Sequence, residues 1–317
     1  VQRIDRRLAR LLTACAFSAL TATACACAAG DGATPTARAP APAPTAPRTI
    51  ATAPSRSAHS AAVLGSWAAP QLVDPTVVQL TSADQHLVLD RTKDYVIVPP
   101  TTPLTNAGGV SIDGGRNVVW VGGEIAIPAS VPATQKNGGR GLYLLNQTGT
   151  IHVEGLRIGG DGLHEGIDIG APRATVQLRN LSIGPVRGGE GLATHPDVIQ
   201  AWGGPKVLRI DGLTATTDYQ GIFLQPQAYG KVDVLRVELH DVDITGTAGS
   251  GYLLWAATPV PLRARDVFVV GPAARPTRQL LWPAPQAWPG VRRARHAPFV
   301  PAPAAGLRYR RPEEAGR

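Results

Sequence analysis

A chain of 317 residues with 35 glycines, 29 prolines, 44% apolar and only 5% aromatic residues suits many short strands and tight turns, and excludes a mainly helical fold. The net charge of +8 does not point to nucleic acid, because the basic residues gather at the two ends and leave the centre without a basic stripe interleaved with aromatics. All three cysteines, Cys15, Cys25 and Cys27, precede residue 30, so the rest of the chain has no thiol for an internal disulfide or a cysteine metal site.

The chain opens on Arg3, Arg6, Arg7 and Arg10, runs through small and apolar residues from Leu11 to Ala29, and turns polar at Gly30-Asp31-Gly32. Residues 1–29 read as an export signal, which predicts a secreted or cell-surface protein. Two routes of cleavage stay open. Ala22-Thr23-Ala24 before Cys25, or Ala24-Cys25-Ala26 before Cys27, resembles a bacterial lipobox without the usual leucine three residues before the cysteine. The same small-x-small pattern suits ordinary signal peptidase, and a retained anchor is a third reading that the abundance of Ala and Thr disfavours. A lipid on the new N-terminus is thus the one expected link to a membrane. Residues 30–66, dominated by Ala, Pro, Thr and Ser, cannot bury enough apolar area to offset chain entropy and read as a disordered tether.

From residue 67 to 272 two patterns recur in register. One is a short alternating strand, usually opened by glycine: Gly109-Val-Ser-Ile112, Gly141-Leu-Tyr-Leu144, Gly166-Ile-Asp-Ile169, Val198-Ile-Gln-Ala201, Gly221-Ile-Phe-Leu224 and Gly251-Tyr-Leu-Leu254. The other is a pair of short strands with apolar residues at steps of two, three and two, as in Val176, Leu178, Leu181 and Ile183. Before its third apolar position stands Gly155, Asn180, Gly212, Asp241 or Asp266, residue types that tolerate the left-handed backbone of a corner. An earlier copy is placed at Val119 and Val121, with one extra residue before Ile125. The first pattern starts at 109, 141, 166 and 198 and the second at 119, 151, 176 and 208, a constant offset of ten.

Such spacing predicts an all-β, right-handed parallel β-helix of about six coils, rather than an antiparallel sandwich or propeller, whose hairpins show no constant offset. Val77 to Leu80 and Tyr95 to Val98 are expected to form the N-terminal cap and first partial coil. Residues 273–317, rich in Pro and Arg and carrying Trp282, Trp288, Phe299 and Tyr309, read as a tail wrapping the last coil.

Equivalent positions on stacked coils lie about 4.8 Å apart, so the alignment says which outward side chains become neighbours. Coils three to five then gather Glu165, Asp168, His195 and Asp197, together with Gln200, Trp202, Asp218, Tyr219, Gln220 and Gln225, on one face, with Trp255 two positions beyond the last glycine strand. Acids, amides and flat aromatics on a long face suit a sugar polymer, whose rings stack on Trp or Tyr while its hydroxyls meet the polar groups. Cleavage of a glycosidic bond needs two carboxyls at about 5 to 9 Å, one of them kept protonated, and Glu165 with Asp197 fits that need. Glu165, Asp168, His195 and Asp197 are therefore the candidate catalytic residues, and Gln200, Trp202, Asp218, Tyr219, Gln220, Gln225 and Trp255 the candidate substrate-binding ones. His152, outward by alternation, and His240, beside a turn aspartate, are expected to be solvated. No His or Cys pair has metal-ligand spacing and no acidic loop resembles a calcium cage, so neither metal nor cofactor is expected.

The stretch from His195-Pro-Asp-Val-Ile-Gln-Ala-Trp-Gly-Gly204, followed by Asp218-Tyr-Gln-Gly221, resembles the pectate-lyase-like superfamily, in particular exported actinobacterial members. That resemblance covers residues 105 to 272 and implies the parallel β-helix; its relatives include polysaccharide lyases, glycoside hydrolases and epimerases. The paired aspartates and Arg-x-Lys signature of polygalacturonases are absent. Asp161-Gly-Leu-His-Glu165 resembles the Asp-Pro-His-Glu motif of alginate epimerases with an extra residue and no proline, which would bring His164 and Asp161 into the site. The expected function is carbohydrate-active, on a polysaccharide or cell-envelope glycan, by a monomer. Cleavage, epimerisation, non-catalytic glycan binding and a structural surface role all remain open.

Overall fold

The computed structural model of the chain describes residues 67–130, 138–188, 195–228 and 232–299; the expected export signal with Cys25 and Cys27, the tether and Tyr309 lie outside the described residues. Runs of β-branched and apolar residues closed by Gly, Asn or Asp form strands and little else. The first eight are β1 (Thr76–Gln79), β2 (His86–Leu89), β3 (Tyr95–Val98), β4 (Leu104–Thr105), β5 (Val110–Gly114), β6 (Val118–Val121), β7 (Glu124–Ala126) and β8 (Arg140–Leu145). Next come β9 (Thr150–Glu154), β10 (Arg157–Gly159), β11 (Glu165–Gly170), β12 (Thr175–Val186), β13 (Asp197–Ala201) and β14 (Val207–Thr217). The last are β15 (Gln220–Leu224), β16 (Arg236–Gly246), β17 (Leu254–Ala256), β18 (Leu262–Val270), β19 (Leu281–Trp282) and β20 (Val291–Arg293). Among the described residues no helix is long and apolar enough to cross a membrane.

These strands make two sheets, and every strand pairing is parallel. The eight-stranded sheet runs β19-β17-β15-β13-β11-β8-β5-β2, and the main path of the twelve-stranded sheet runs β1-β3-β6-β9-β12-β14-β16-β18-β20. From β11 onward the chain visits the sheets in turn, so the fold is all-β with long parallel sheets, and a solenoid is compatible with it. The antiparallel alternatives are excluded.

The constant offset is visible as register. In the eight-stranded sheet Leu142, Ile167, Ile199, Ile222 and Leu254 stand side by side, and in the other sheet Ile151, Val176, Leu208, Val237 and Leu262 do the same. The first four of each row are almost fully buried and share one continuous apolar core. Burying each such aliphatic side chain stabilises by about 1.5–3 kcal/mol, and no single coil has a second layer of its own to supply that burial. All five corner residues adopt the left-handed backbone, with φ of 70° at Gly155, 51° at Asn180, 79° at Gly212, 51° at Asp241 and 52° at Asp266. Other residue types would strain there, which is why the corners are written in Gly, Asn and Asp.

Three sequence expectations need correction. In β6 the buried partners of Ile151 and Val153 are Val118 and Trp120, while Val121 is exposed. The run Val-Val-Trp-Val is apolar at every position, so alternation could not choose its face; the large Trp120, whose Nε1–H donates to the Gly122 carbonyl at 2.7 Å, takes the inside. The final glycine strand is displaced by two residues, because the chain bends at Leu253 and β17 begins at Leu254, bringing Trp255 rather than Leu253 opposite Phe223. His152 is buried at 1% exposure, its ring nitrogens meeting Gln177 at 2.9 Å and Glu154 at 3.1 Å. A segment before β1 lies across that face: Trp67 stacks on the half-buried His240 with ring centroids 5.0 Å apart and approaches the Arg209 guanidinium at 5.2 Å.

At the other end the pairing continues past Pro272. β19 adds to β17, β20 adds to β18, and Trp288 is buried against the core. The Phe299 N–H donates to Asp243 Oδ2 at 3.2 Å, laying the tail over β16.

Candidate functional site

Parallel register places eight outward side chains in one row across the eight-stranded sheet: His86, Ser111, Tyr143, Asp168, Gln200, Phe223, Trp255 and Trp282. Phe223 and Trp255 stack with centroids 4.3 Å apart and planes at 22°. Tyr252 leans on Trp255 at 6.0 Å and on Trp282 at 5.7 Å, and Trp282 is 39% exposed. Trp202, just beyond β13, tilts against Tyr143 at 6.0 Å. Its position depends on Gly170, since a Cβ at 170 would stand 2.7–2.8 Å from the six-membered ring of Trp202 and from Leu145. Gly170→Ala is therefore expected to push Trp202 off β11 at a cost of about 1–3 kcal/mol, read as a lower melting temperature with a changed near-ultraviolet signal from tryptophan.

Beneath this row, where β8, β11 and β13 begin, lies an acidic cluster. Glu165 pairs with Arg140 across β11 and β8, and Asp197 pairs with Gln220 across β13 and β15. Since Ile167 faces Ile199, Glu165 and Asp197 start their strands at equivalent positions. Glu165 is 3% exposed, and Asp168 and Asp197 are each 1% exposed. Arg140 Nε lies 2.6 Å from Glu165 Oε2 and 2.5 Å from Asp168 Oδ2. Its Nε–H donates to Glu165 Oε2. The guanidinium also sits over the Tyr143 ring, 4.3 Å from its centroid.

Asp197 has no hydrogen-bond partner for either carboxylate oxygen among the described residues. Burial pushes its carboxyl well above the ordinary range, and the charges of Asp168 and Glu165 push the same way. Asp168 is raised too, by burial first and by Glu165 second, with Arg140 opposing. Burial of three carboxyls this close together favours the protonated form of Asp197 and Asp168, while Arg140 pairs with Glu165. The arrangement can keep a proton on Asp197 beside an ion pair. Among the described residues no cluster of His, Cys, Asp and Glu is arranged to hold a metal ion.

The other predicted residues spread around this cluster. The His195 backbone N–H donates to Glu165 Oε1 at 3.2 Å, while its side chain lies in an exposed residue. Gln220 is buried. Gly188 lies close against Tyr219, and burial followed by the Asp197 charge raises the Tyr219 phenol. Asp218 is half-buried, and its N–H donates to the Val186 carbonyl at 2.9 Å. Gln225 is half-buried, and its N–H donates to the Ala201 carbonyl at 2.7 Å. His164 is buried, with Nδ1 3.1 Å from the Arg187 carbonyl, whereas Asp161 stands out in solvent with Arg187 at 3.0 Å. Asp161 therefore does not join the acids.

Sequence reasoning missed Arg140 and gave Tyr143 no role. The signal was present, since a step of 25 residues relates Arg140 to Glu165 and Tyr143 to Asp168 as it relates Gly141 to Gly166. Comparison with known proteins found no matching family model, no matching curated protein and no matching solved structure.

Proposed function

We propose that the chain is an exported right-handed parallel β-helix of about six coils, akin to the pectate-lyase-like superfamily, that binds a polysaccharide or cell-envelope glycan on the outer face of its eight-stranded sheet. The observation that carries this reading is the outward row from Tyr143 to Trp282, in which aromatic rings stand on either side of the buried Asp168 and the Gln200 amide along one line, flanked by Trp202 and Gln225. Rings in such a line offer apolar contact to sugars while amides take their hydroxyls. Gln200, Trp202, Gln225, Trp255 and Trp282 are the contact residues, and Arg140, Glu165 and Asp168 form the buried support that fixes Tyr143 and the start of each strand.

Binding without cleavage is favoured because the carboxyls of Glu165, Asp168 and Asp197 are covered, at 1–3% exposure. A second reading, cleavage with Asp197 as general acid and Glu165 as its partner, is favoured by one observation: both oxygens of the buried Asp197 carboxyl are uncommitted among the described residues, and burial raises it well above the ordinary range.

A panel of soluble and insoluble polysaccharides separates the two. Retention on at least one polymer, with no new reducing ends and no unsaturated product, is the expected result. Product that disappears in Asp197→Asn and Glu165→Gln would transfer the conclusion to catalysis, and failure to be retained on any polymer would remove the glycan reading.

A further inference from the structure

The two outward rows that carry the proposed glycan face are also informative for what they omit. From Asp168 to Trp282 the first row carries no Lys or Arg, and the adjacent positions are Gly170, Trp202 and Gln225. A carboxylated sugar is recognised by guanidinium or ammonium groups that meet its charge in paired hydrogen bonds. Here the guanidinium nearest the row, that of Arg140, already lies against two carboxyls and the face of Tyr143. Towards β5 the next arginine, Arg91, lies 3.5 Å from Asp113.

Resting on the glycan-binding reading, we infer that this face selects polysaccharides without acidic groups and rejects uronate polymers. Neutral sugars meet what is present: ring faces and edges at Trp202, Trp255 and Trp282, and amides at Gln200 and Gln225. A polyanion would have to bring its carboxylates over Asp168 with no cation on these strands to receive them. Selectivity then resides in the row itself, and a single added charge in its middle should weaken it. Gln200 is the position for that change, half-buried between Asp168 and Phe223.

The test is affinity electrophoresis at low ionic strength on matched pairs: hydroxyethylcellulose against carboxymethylcellulose, and galactan against polygalacturonate, with xylan and mannan as further neutral probes. The mature chain is expected to be retarded by at least one neutral polymer at a concentration ten-fold or more below that needed with either anionic one. Gln200→Lys should shrink that ratio several-fold, with the gap closing as salt is added. Retardation by polygalacturonate or carboxymethylcellulose equal to or stronger than by every neutral probe overturns the selectivity while leaving glycan binding in place. Retardation by no polymer removes both. A neutral preference that Gln200→Lys leaves unchanged, in a variant with the parent's melting temperature, overturns the assignment of selectivity to this row.

Discussion

Arg140→Ala is expected to be the most damaging single exchange on the surface-facing side of the eight-stranded sheet. It removes the one guanidinium that lies 2.6 Å from Glu165 and 2.5 Å from Asp168, two carboxyls that water barely reaches. Taking away one partner of a buried ion pair costs about 3–5 kcal/mol, because the remaining charge has neither solvent nor a counter-ion. The loss should depend on pH. Burial and Glu165 already raise the carboxyl of Asp168 and Arg140 opposes them, so without Arg140 the loss should be larger at pH 8 than at pH 5. Urea unfolding at the two pH values measures it, and Arg140→Ala combined with Glu165→Gln should regain part of the stability at pH 8. A loss under about 1 kcal/mol at both pH values would mean that the cluster is solvated.

Asp197→Asn should move stability the other way. The carboxyl of Asp197 is raised well above its ordinary value by burial and by Asp168 and Glu165, so between its unfolded and folded values the native state holds a proton that the unfolded chain releases. Its contribution to stability is complete below the unfolded value of 3.8 and is lost as pH rises through the folded one. An amide has the same shape and cannot ionise. The variant should therefore match the parent near pH 4 and exceed it at pH 8 by about 2 kcal/mol, which for a domain of this size is a rise of roughly 4–8 °C in melting temperature. Asp243, pushed up to about 7 by burial against the Phe299 N–H that pulls it down, acts in the same sense. Asp94 acts in the opposite sense. Arg116 and the Asn117 and Val73 backbone N–H groups hold its carboxyl below the ordinary range, so its contribution is present above 3.8 and is lost as pH falls further. The protein should consequently be most stable in mild acid, and a parent whose stability climbs steadily from pH 5 to 8 would contradict the assignment.

Much of the architecture was legible because the repeat left its marks at corners. Gly155, Asn180, Gly212, Asp241 and Asp266 were recognisable as turn residues from type alone, and all five have positive φ. Constant spacing then predicted lateral pairs such as Asp168 with Gln200 and Gln200 with Phe223, which register reproduces. Legibility failed where local patterns were degenerate or where a distant segment intervened. Val118 to Val121 offered four apolar residues and no preferred face. Two leucines in succession, Leu253 and Leu254, are both buried across a bend, and that moved Trp255 into the row beside Phe223. His152 followed the alternation outward, yet Glu154, Gln177 and the segment at Trp67 and Ala68 enclose it. Alternation says which way a side chain points and is silent on what lies over it. For the same reason the gathering of Glu165, Asp168 and Asp197 was readable, but their burial and their arginine were not. Arg140 stands 25 residues before Glu165, one position ahead of the glycine that opens its strand, where the alternating pattern begins.

The proposed glycan face is tested most directly by one comparison of tryptophans. Trp202 and Trp255 lie along the outer row of the eight-stranded sheet, while Trp67 lies on the other sheet, stacked on His240. Calorimetric titration of the retained polymer into the Ala variants of each should show at least a ten-fold loss of affinity for Trp202→Ala and Trp255→Ala and none for Trp67→Ala. Unchanged binding in the first two, or a loss confined to Trp67→Ala, would contradict the account.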